Sequence, residues 1–300
     1  MREWLQAGGE GEAVVVLGAP IARASITPSQ AWTTPAAFRA ALARFPTWDA
    51  ATSADITGVL LRDAGDVEGD RDDPDASRAH GRIEEAVAGL AAGGALVVVI
   101  GGDNSLTRPA FTGAARARLV PWGLVTVDAH HDCRPATSGS ANGTPVRELI
   151  EGGLPGALVA QVGIHPLGNS REDAEWAIAR GIHVHPLEEV IGAGMETVFQ
   201  AAVAEVRGNG AEAIYVDLDI DVVDRAYAPA CPASLPAGLA PAELLTAARL
   251  AGREPSVAVV DLCEVDAAAD VAGMTVRLMA ATFTALCAGV ATRRDAARAQ

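Results

Sequence analysis

The stretch Trp122-Gly-Leu-Val-Thr-Val-Asp128-Ala-His130-His131-Asp132 decides the fold, because it joins a buried strand to a group of metal-binding side chains. The run Trp122–Val127 is short, aliphatic and partly β-branched, which is typical of a strand in a parallel sheet. Side chains alternate along a strand, so Asp128 and His130 project together. An unpaired carboxylate is costly to bury, and we therefore expect a cation as its partner.

A second stretch repeats this pattern. The apolar run at residues 211–216 leads into Asp217-Leu-Asp219-Ile-Asp221-Val-Val-Asp224, where Asp219 and Asp221 share one face. Acids in solvated loops or ion pairs are the alternative, since an acidic chain could hold one such cluster by chance. Two clusters with the same spacing predict two cations. Oxygen-rich ligation with a single imidazole favours Mn²⁺ over zinc.

Strand-like and helix-like runs alternate along the chain. The other predicted strands are residues 13–18, 56–61, 95–100, 157–163 and 256–263, and the predicted helices are 35–44, 77–92, 171–179, 196–207, 241–251 and 276–291. This alternation predicts an α/β fold in which helices cover both faces of a mostly parallel sheet. Ligands in such sheets bind beyond the carboxyl ends of the strands, where both acidic clusters lie. No internal repeat or linker is apparent, so we expect residues 1–300 to form a single domain, with a solvated loop at residues 63–75.

Composition limits the partners. The net charge of −15 and the pI of about 4.8 argue against binding to nucleic acid or to an anionic membrane. The four cysteines show no CxxC spacing, and Cys263 and Cys287 lie in apolar runs, as core thiols of a cytoplasmic protein would. The N-terminus has no apolar signal core, and no stretch is expected to be long enough to span a membrane.

A third motif, Gly101-Gly102-Asp103-Asn104-Ser105, follows the strand at 95–100 and taken alone is also compatible with an ordinary capped turn. With Asp128–Asp132 and the segment from Asp217 to Ala230, it resembles the ureohydrolase patterns GGDHS, DAHxD and SxDxDxxDPxxAPG. The resemblance to this family of arginases, agmatinases and formimidoylglutamases covers most of the chain. It implies an arginase-like three-layer α/β/α sandwich with two Mn²⁺ ions per chain, and a homo-oligomer.

The resemblance also implies the metal ligands. They would be Asp128 and Asp219 between the two ions, Asn104 and Asp132 on the first ion, and His130 and Asp221 on the second. Asp132 would also accept a hydrogen bond from the catalytic water, which paired cations acidify. Asn104 stands where most relatives have histidine, and an amide oxygen binds Mn²⁺ more weakly than imidazole, so the first ion would be labile.

Further matches concern the substrate. Glu264 matches the glutamate that pairs with the cationic C–N centre of the substrate, although it could instead be an exposed residue past a strand end. Asn142 stands where arginases and agmatinases carry a histidine, and Asn142-Gly-Thr-Pro-Val-Arg147 and Arg134 are similar to formimidoylglutamases. Arg134 and Arg147 would clamp the carboxylates of formimidoylglutamate, unless both are surface arginines.

These observations predict a manganese-dependent hydrolase of a linear amidine C–N bond, with formimidoylglutamate giving glutamate and formamide. The alternatives are an agmatinase or guanidino-acid hydrolase that releases urea, and a metal-poor binding subunit, which only Asn104 favours. Asp217 and Arg225, in place of the usual serine and proline, either pair with each other or have no special role. His183 and His185 have a zinc-like spacing, but no further ligand is expected near them.

Overall fold

The computed structural model describes residues 13–298. Its centre is an eight-stranded sheet in which every neighbouring pair of strands is parallel. The strands are β1 (Ala13–Ala19), β2 (Trp48–Asp49), β3 (Ala54–Asp55), β4 (Leu60–Asp66), β5 (Leu96–Gly101), β6 (Trp122–Val127), β7 (Val159–Ile164), β8 (His183–Pro186), β9 (Ala213–Asp219) and β10 (Val257–Cys263). The order in the sheet is β4-β1-β5-β10-β9-β6-β7-β8, and β2 and β3 form a separate antiparallel pair.

Helices cover both faces of this sheet. One face packs against α1 (Thr34–Leu42), α6 (Leu187–Ala193), α7 (Met195–Gly208), α8 (Pro241–Arg253) and α9 (Met274–Arg298), and the other against α2 (Ser77–Ala91), α3 (Thr107–Ala117), α4 (Pro145–Glu151) and α5 (Arg171–Ala179). The neighbours Val98 and Val99 of β5 point into opposite cores, as strand alternation requires. The predicted three-layer α/β/α sandwich is therefore confirmed.

The strand order places the functional residues side by side. The strands β5, β10, β9 and β6 are consecutive neighbours in the middle of the sheet. Cys263 at the end of β10 lies opposite Asp219 at the end of β9, and Val127 at the end of β6 lies opposite Leu218. Segments that leave these four strands therefore meet at one edge of the sheet.

The prediction of a strand at 56–61 is wrong in its position. Ile56–Gly58 is a 3₁₀ turn in which the Asp55 carboxylate accepts the N–H of Thr57, and β4 begins only at Leu60. The apolar run spans both elements, so hydrophobicity alone did not separate the turn from the strand.

The prediction of a solvated loop at 63–75 is also wrong for three of its acids, Asp63, Asp66 and Asp70. Asp63 and Asp66 belong to β4 and pair with Arg39 of α1 at 2.7 and 2.6 Å. Asp70 is buried and accepts the N–H of Ala22. Asp63 and Asp66 thus hold the edge strand β4 against α1, and Asp70 holds its loop against the segment that follows β1.

One long helix corrects a further expectation. The segment Met274–Arg293 of α9 is long and apolar enough to span a membrane by composition, contrary to the expectation from the sequence. Most of it is buried in the fold, where α9 packs against α1 and α8. It is a helix of the core, and Cys263 and Cys287 are buried free thiols as predicted.

Candidate active site

The segment after β6 brings an imidazole against two carboxylates. His130 Nδ1 lies 3.0 Å from Asp221 Oδ2 and 3.4 Å from Asp128 Oδ1, and one ligand atom of each of the three residues lies within 4.8 Å of the others. Burial opposes protonation of His130, but the charges of Asp221 and Asp128 raise the pKa of its imidazole to about 12. A positive charge is therefore strongly favoured at this point.

The carboxylates around this imidazole repel one another. Burial and the charge of Asp221 raise the pKa of Asp128 to about 6, and burial with neighbouring acids also raises the pKa values of Asp132 and Asp219. Within residues 13–298, Asp221 Oδ1 is buried without a hydrogen-bond partner. An unsatisfied carboxylate oxygen among crowded acids fits the coordination of divalent cations by oxygen ligands.

Asn104 contacts this cluster through its amide nitrogen. Asn104 Nδ2 donates to Asp132 Oδ2 at 2.5 Å, whereas Asn104 Oδ1 lies 2.6 Å from the hydroxyl of Thr107. The oxygen that was predicted as a metal ligand is thus turned toward α3. Its coordination of a metal stays a prediction, and it would require the amide to turn over.

A buried polar network begins at Thr107, the residue that contacts the amide oxygen of Asn104. The Thr107 hydroxyl also lies 2.8 Å from Asp261 Oδ2, which accepts the hydroxyl of Tyr215. Asp217 lies beside Asp261, and burial and the charge of Asp261 raise the pKa of Asp217 well above its usual range.

Asp217 and Arg225 do not pair with each other. The Arg225 guanidinium donates to the carbonyl oxygens of Cys231 and Ser234, at 3.1 and 3.3 Å. The first of the two possibilities left open by the sequence is therefore wrong.

Glu264 follows β10 in a left-handed backbone conformation, with φ of 61°. It is only 3% exposed, which excludes the alternative of a solvated residue. Glu264 Oε1 accepts the backbone N–H of Asn104 at 2.7 Å and the side-chain amide of Asn142 at 3.0 Å. Burial and the charge of Asp103 raise the pKa of Glu264 to about 8.

A cleft opens over these residues. It is lined by Ile26, Thr27, His130, Asp132, Arg134, Asn142, Gly143, Gly168, Asn169, Asp173, Asp219, Asp221, Ala233 and Glu264. Among the contacts of residues 13–298, the exposed guanidinium of Arg134 has no hydrogen bond or ion pair. A cationic group is thus available at a cleft whose floor is acidic.

Arg147 has different surroundings and does not line the cleft. Its Nε donates to Glu151 at 2.8 Å, and its guanidinium lies 4.8 Å from the ring centroid of Trp176. The prediction that Arg147 clamps the substrate is therefore not supported, because its cation is already held by other side chains.

Several residues that line the cleft were not predicted from the sequence. Asn169 and Asp173 follow the carboxyl end of β7, and Ile26 and Thr27 follow that of β1. Because these four residues follow strand ends, their positions could have indicated that they lie at the cleft. They did not stand out in the sequence because they form no pair of acids or histidines. Asn169 holds the segment after β6, since its Oδ1 accepts the N–H of His131 at 2.8 Å.

The fold and the site together define a class of protein. Its members are α/β/α proteins that have a parallel sheet and, beyond the carboxyl ends of the strands, a carboxylate-rich centre of the kind that binds metal ions. The chain belongs to the arginase family, whose family model matches residues 12–288. The predicted resemblance to ureohydrolases is thereby confirmed.

Individual relatives agree with this assignment. The chain is 35% identical over 269 residues to a formimidoylglutamase of Halalkalibacterium halodurans, covering 88% of this chain and 83% of the relative. It is 31% identical over 289 residues to a mitochondrial agmatinase of Gallus gallus, covering 94% and 83%. The crystal structure of Trypanosoma cruzi formiminoglutamase with two Mn²⁺ superposes with a TM-score of 0.88 at 25% identity, covering 97% of this chain and 98% of that chain.

Proposed function

We propose that this chain is a manganese-dependent hydrolase of linear amidines that converts formimidoylglutamate to glutamate and formamide. The observation that carries the proposal is the charge pattern of the cleft. Its floor holds acids, including Glu264, and Arg134 provides an uncommitted cation. Formimidoylglutamate has the matching charges, since a cationic formimino group is joined to two carboxylates. The similarity to the formimidoylglutamase of Halalkalibacterium halodurans supports the same substrate.

The residues present fit two Mn²⁺ ions. Those that would hold them are Asp128, His130, Asp132, Asp219 and Asp221, with Asn104 as a weaker candidate. The crowded carboxylates and the unsatisfied oxygen of Asp221 support this assignment, as do the two Mn²⁺ ions of the Trypanosoma cruzi protein. When bound, paired cations acidify water and polarise the group under attack.

The side chains of the chain account for orientation and proton transfer. Glu264 faces the formimino cation, and the Asn104 N–H and the Asn142 amide fix its carboxylate. Arg134 grips a carboxylate at the other end of the substrate. Together they align the amidine carbon with the catalytic water near Asp132.

Asp132 is the group we assign to proton transfer. It takes a proton from the water that adds to the amidine carbon and returns it to the glutamate nitrogen as the C–N bond breaks. The bond from Asn104 Nδ2 keeps the Asp132 carboxylate in place. Formamide and glutamate are then the products.

The wider assignment is part of the proposal. We propose a single catalytic domain over residues 1–300 that forms a homo-oligomer in the cytoplasm and acts on a small-molecule substrate. The net charge of −15 is consistent with a protein that binds neither nucleic acid nor membrane.

A substrate panel tests the proposed function. Mn²⁺-loaded protein is given formimidoylglutamate, arginine, agmatine or guanidinobutyrate, and formamide and urea are measured. We expect formamide from formimidoylglutamate to be the fastest product, because agmatine has no carboxylate for Arg134 to bind. Faster release of urea from agmatine would replace this proposal with an agmatinase.

A further inference from the structure

Two loops beside the cleft are joined to each other through Asn142. The first follows β1 and comprises residues 20–30 (the β1 loop), and the second comprises residues 140–144 (the Asn142 loop). The Asn142 backbone N–H donates to the carbonyl of Ala24 at 3.0 Å, and Asn142 Oδ1 accepts the N–H of Ile26 at 3.1 Å. The same side chain donates through Nδ2 to Glu264 Oε1 at 3.0 Å. The direction of the Glu264 carboxylate therefore depends on where the two loops lie.

A buried chain of hydrogen bonds holds the β1 loop. Asp103 Oδ2 accepts the N–H of Ala24 at 3.2 Å, and Asp103 Oδ1 accepts the hydroxyl of Ser105 at 2.5 Å. The Ser105 oxygen lies 2.8 Å from His80 Nε2, and His80 Nδ1 lies 3.3 Å from Arg108 Nη2. Because the Ser105 hydroxyl donates to Asp103 and a guanidinium can only donate, the His80 ring is neutral with its proton on Nε2. Burial and the charge of Arg108 agree with this, since they lower the pKa of His80 to about 4.

The same arginine holds the Asn142 loop. Arg108 Nε lies 3.1 Å from Glu148 Oε2 on α4. Glu148 accepts the hydroxyl of Ser140 at 2.7 Å and the hydroxyl of Thr144 at 2.5 Å, at the two ends of the loop. Arg108 thus closes a ring of contacts (the Arg108 ring) that reaches both loops.

We propose that Arg108 is a positioning residue, which holds the two loops together so that Asn142 directs Glu264 toward the cationic end of the substrate. Arg108 does not line the cleft, so it acts on the substrate only through other residues. The inference rests on the proposed function, because the group that Glu264 would receive is the formimino cation. An interaction that is equally strong in the bound substrate and in the transition state changes KM and leaves kcat in place. Loosening the two loops should therefore raise KM.

The test compares Arg108→Met with the matched control Arg116→Met. Both variants keep the aliphatic stem of an arginine on α3 and remove its guanidinium, but the Arg116 guanidinium pairs with Glu84 and Glu85 of α2, at 3.1 and 3.0 Å. We expect Arg108→Met to raise KM for formimidoylglutamate by roughly 3–10-fold, the effect of about one hydrogen bond, with kcat within about twofold of the wild type. Arg116→Met should keep the KM of the wild type.

Hydrogen exchange tests the loops without any substrate. The backbone amides of Ala24 and Ile26 are held by side chains of the two loops and the Arg108 ring, so they should exchange at least about fivefold faster in Arg108→Met. The amide of Ala22 is an internal reference, because it is held by Asp70 outside the ring, and its exchange should stay unchanged.

Glu148→Gln is a second variant, which breaks the Arg108 ring at α4 with almost no change in size. It should raise KM and speed the exchange of the same two amides. Unchanged exchange in both variants, or faster exchange with KM unchanged, would overturn the proposal. If the wild type does not hydrolyse formimidoylglutamate, the proposed function fails, and the exchange rates alone then decide whether Arg108 holds the loops.

Discussion

Arg134 and Arg147 lie in one segment of the chain but have different surroundings, since only Arg134 lines the cleft. Arg134→Ala removes the free cation of the cleft. Loss of this anchor for a substrate carboxylate should cost about 2–5 kcal/mol of transition-state binding. The measurement is kcat/KM for formimidoylglutamate, which should fall accordingly. Arg147→Ala is the matched control, which loses the contacts with Glu151 and Trp176 and should lower the unfolding temperature with little change in kcat/KM. Equal kcat/KM values for Arg134→Ala and the wild type, with Mn²⁺ content unchanged, would exclude Arg134 as an anchor.

The Thr107 hydroxyl donates to the amide oxygen of Asn104 at 2.6 Å. Thr107→Val removes the hydroxyl at Asn104 Oδ1, so Asn104 should hold Asp132 less firmly, and the apparent affinity for Mn²⁺ should fall by about 10–100-fold. Thr112→Val is a control on the same helix, since the Thr112 hydroxyl donates only to the carbonyl of Arg108. The measurement is the rate of Mn²⁺ loss to a chelator, and identical rates for the two variants would show that Thr107 does not support the site.

The sequence predicts which residues gather at the site better than it predicts how they are oriented. Spacing of i, i+2 after two strands was sufficient to predict that Asp128 and His130 lie close to Asp221, because strand alternation is local and regular and the carboxyl ends of parallel strands share one edge of the sheet. The direction of the Asn104 amide depends on contacts with Asp132 and Cys263, which are distant in sequence, as well as on Thr107. The role of Arg147 likewise depends on Trp176 of a later helix, which no local pattern reveals.

The turn after β5 depends on a close approach of two backbones. A Cβ at Gly102 would lie 1.6 Å from the carbonyl oxygen of Ile21, and the carbonyl of Gly102 accepts the N–H of Glu264 at 2.8 Å. Gly102→Ala should therefore destabilise the fold by about 1–3 kcal/mol or more and displace Glu264. Gly81→Ala, inside α2 with open space around it, should instead stabilise by about 0.5–1 kcal/mol. Urea denaturation checks both values, and a Gly102→Ala variant as stable as the wild type would contradict the account of this turn.

The strongly apolar strands were predicted, whereas several short elements and the eleven-residue helix α3 were not. The central strands are continuous aliphatic runs buried on both faces, so β5, β6 and β9 were found within a few residues. The helices α4 and α6 have only seven residues each, too few for a helical period to stand out. The edge strand β4 alternates half-buried and exposed residues over most of its length and carries two acids, Asp63 and Asp66, which made it resemble a loop.

The whole molecule is needed to assemble the metal centre. Its acids come from the carboxyl ends of β6 and β9, and Glu264 beside them follows β10; these strands are far apart in sequence and become neighbours only in the folded sheet. Because these carboxylates are buried together in a chain of net charge −15, cations that bind the folded state should stabilise it. Free Mn²⁺ at 100 times its Kd would add about 2.7 kcal/mol to the free energy of unfolding for each ion bound.

The most direct test of the central claim is the number of Mn²⁺ ions bound per chain after reconstitution. We expect about two ions in the wild type and no more than about one in Asp219→Ala. Asp224→Asn is a control in the same acidic segment, since Asp224 accepts backbone N–H groups of Ala226 and Ala237 and does not line the cleft. It should retain both ions. One ion or fewer in the wild type, with no further loss in Asp219→Ala, would contradict the two-manganese centre.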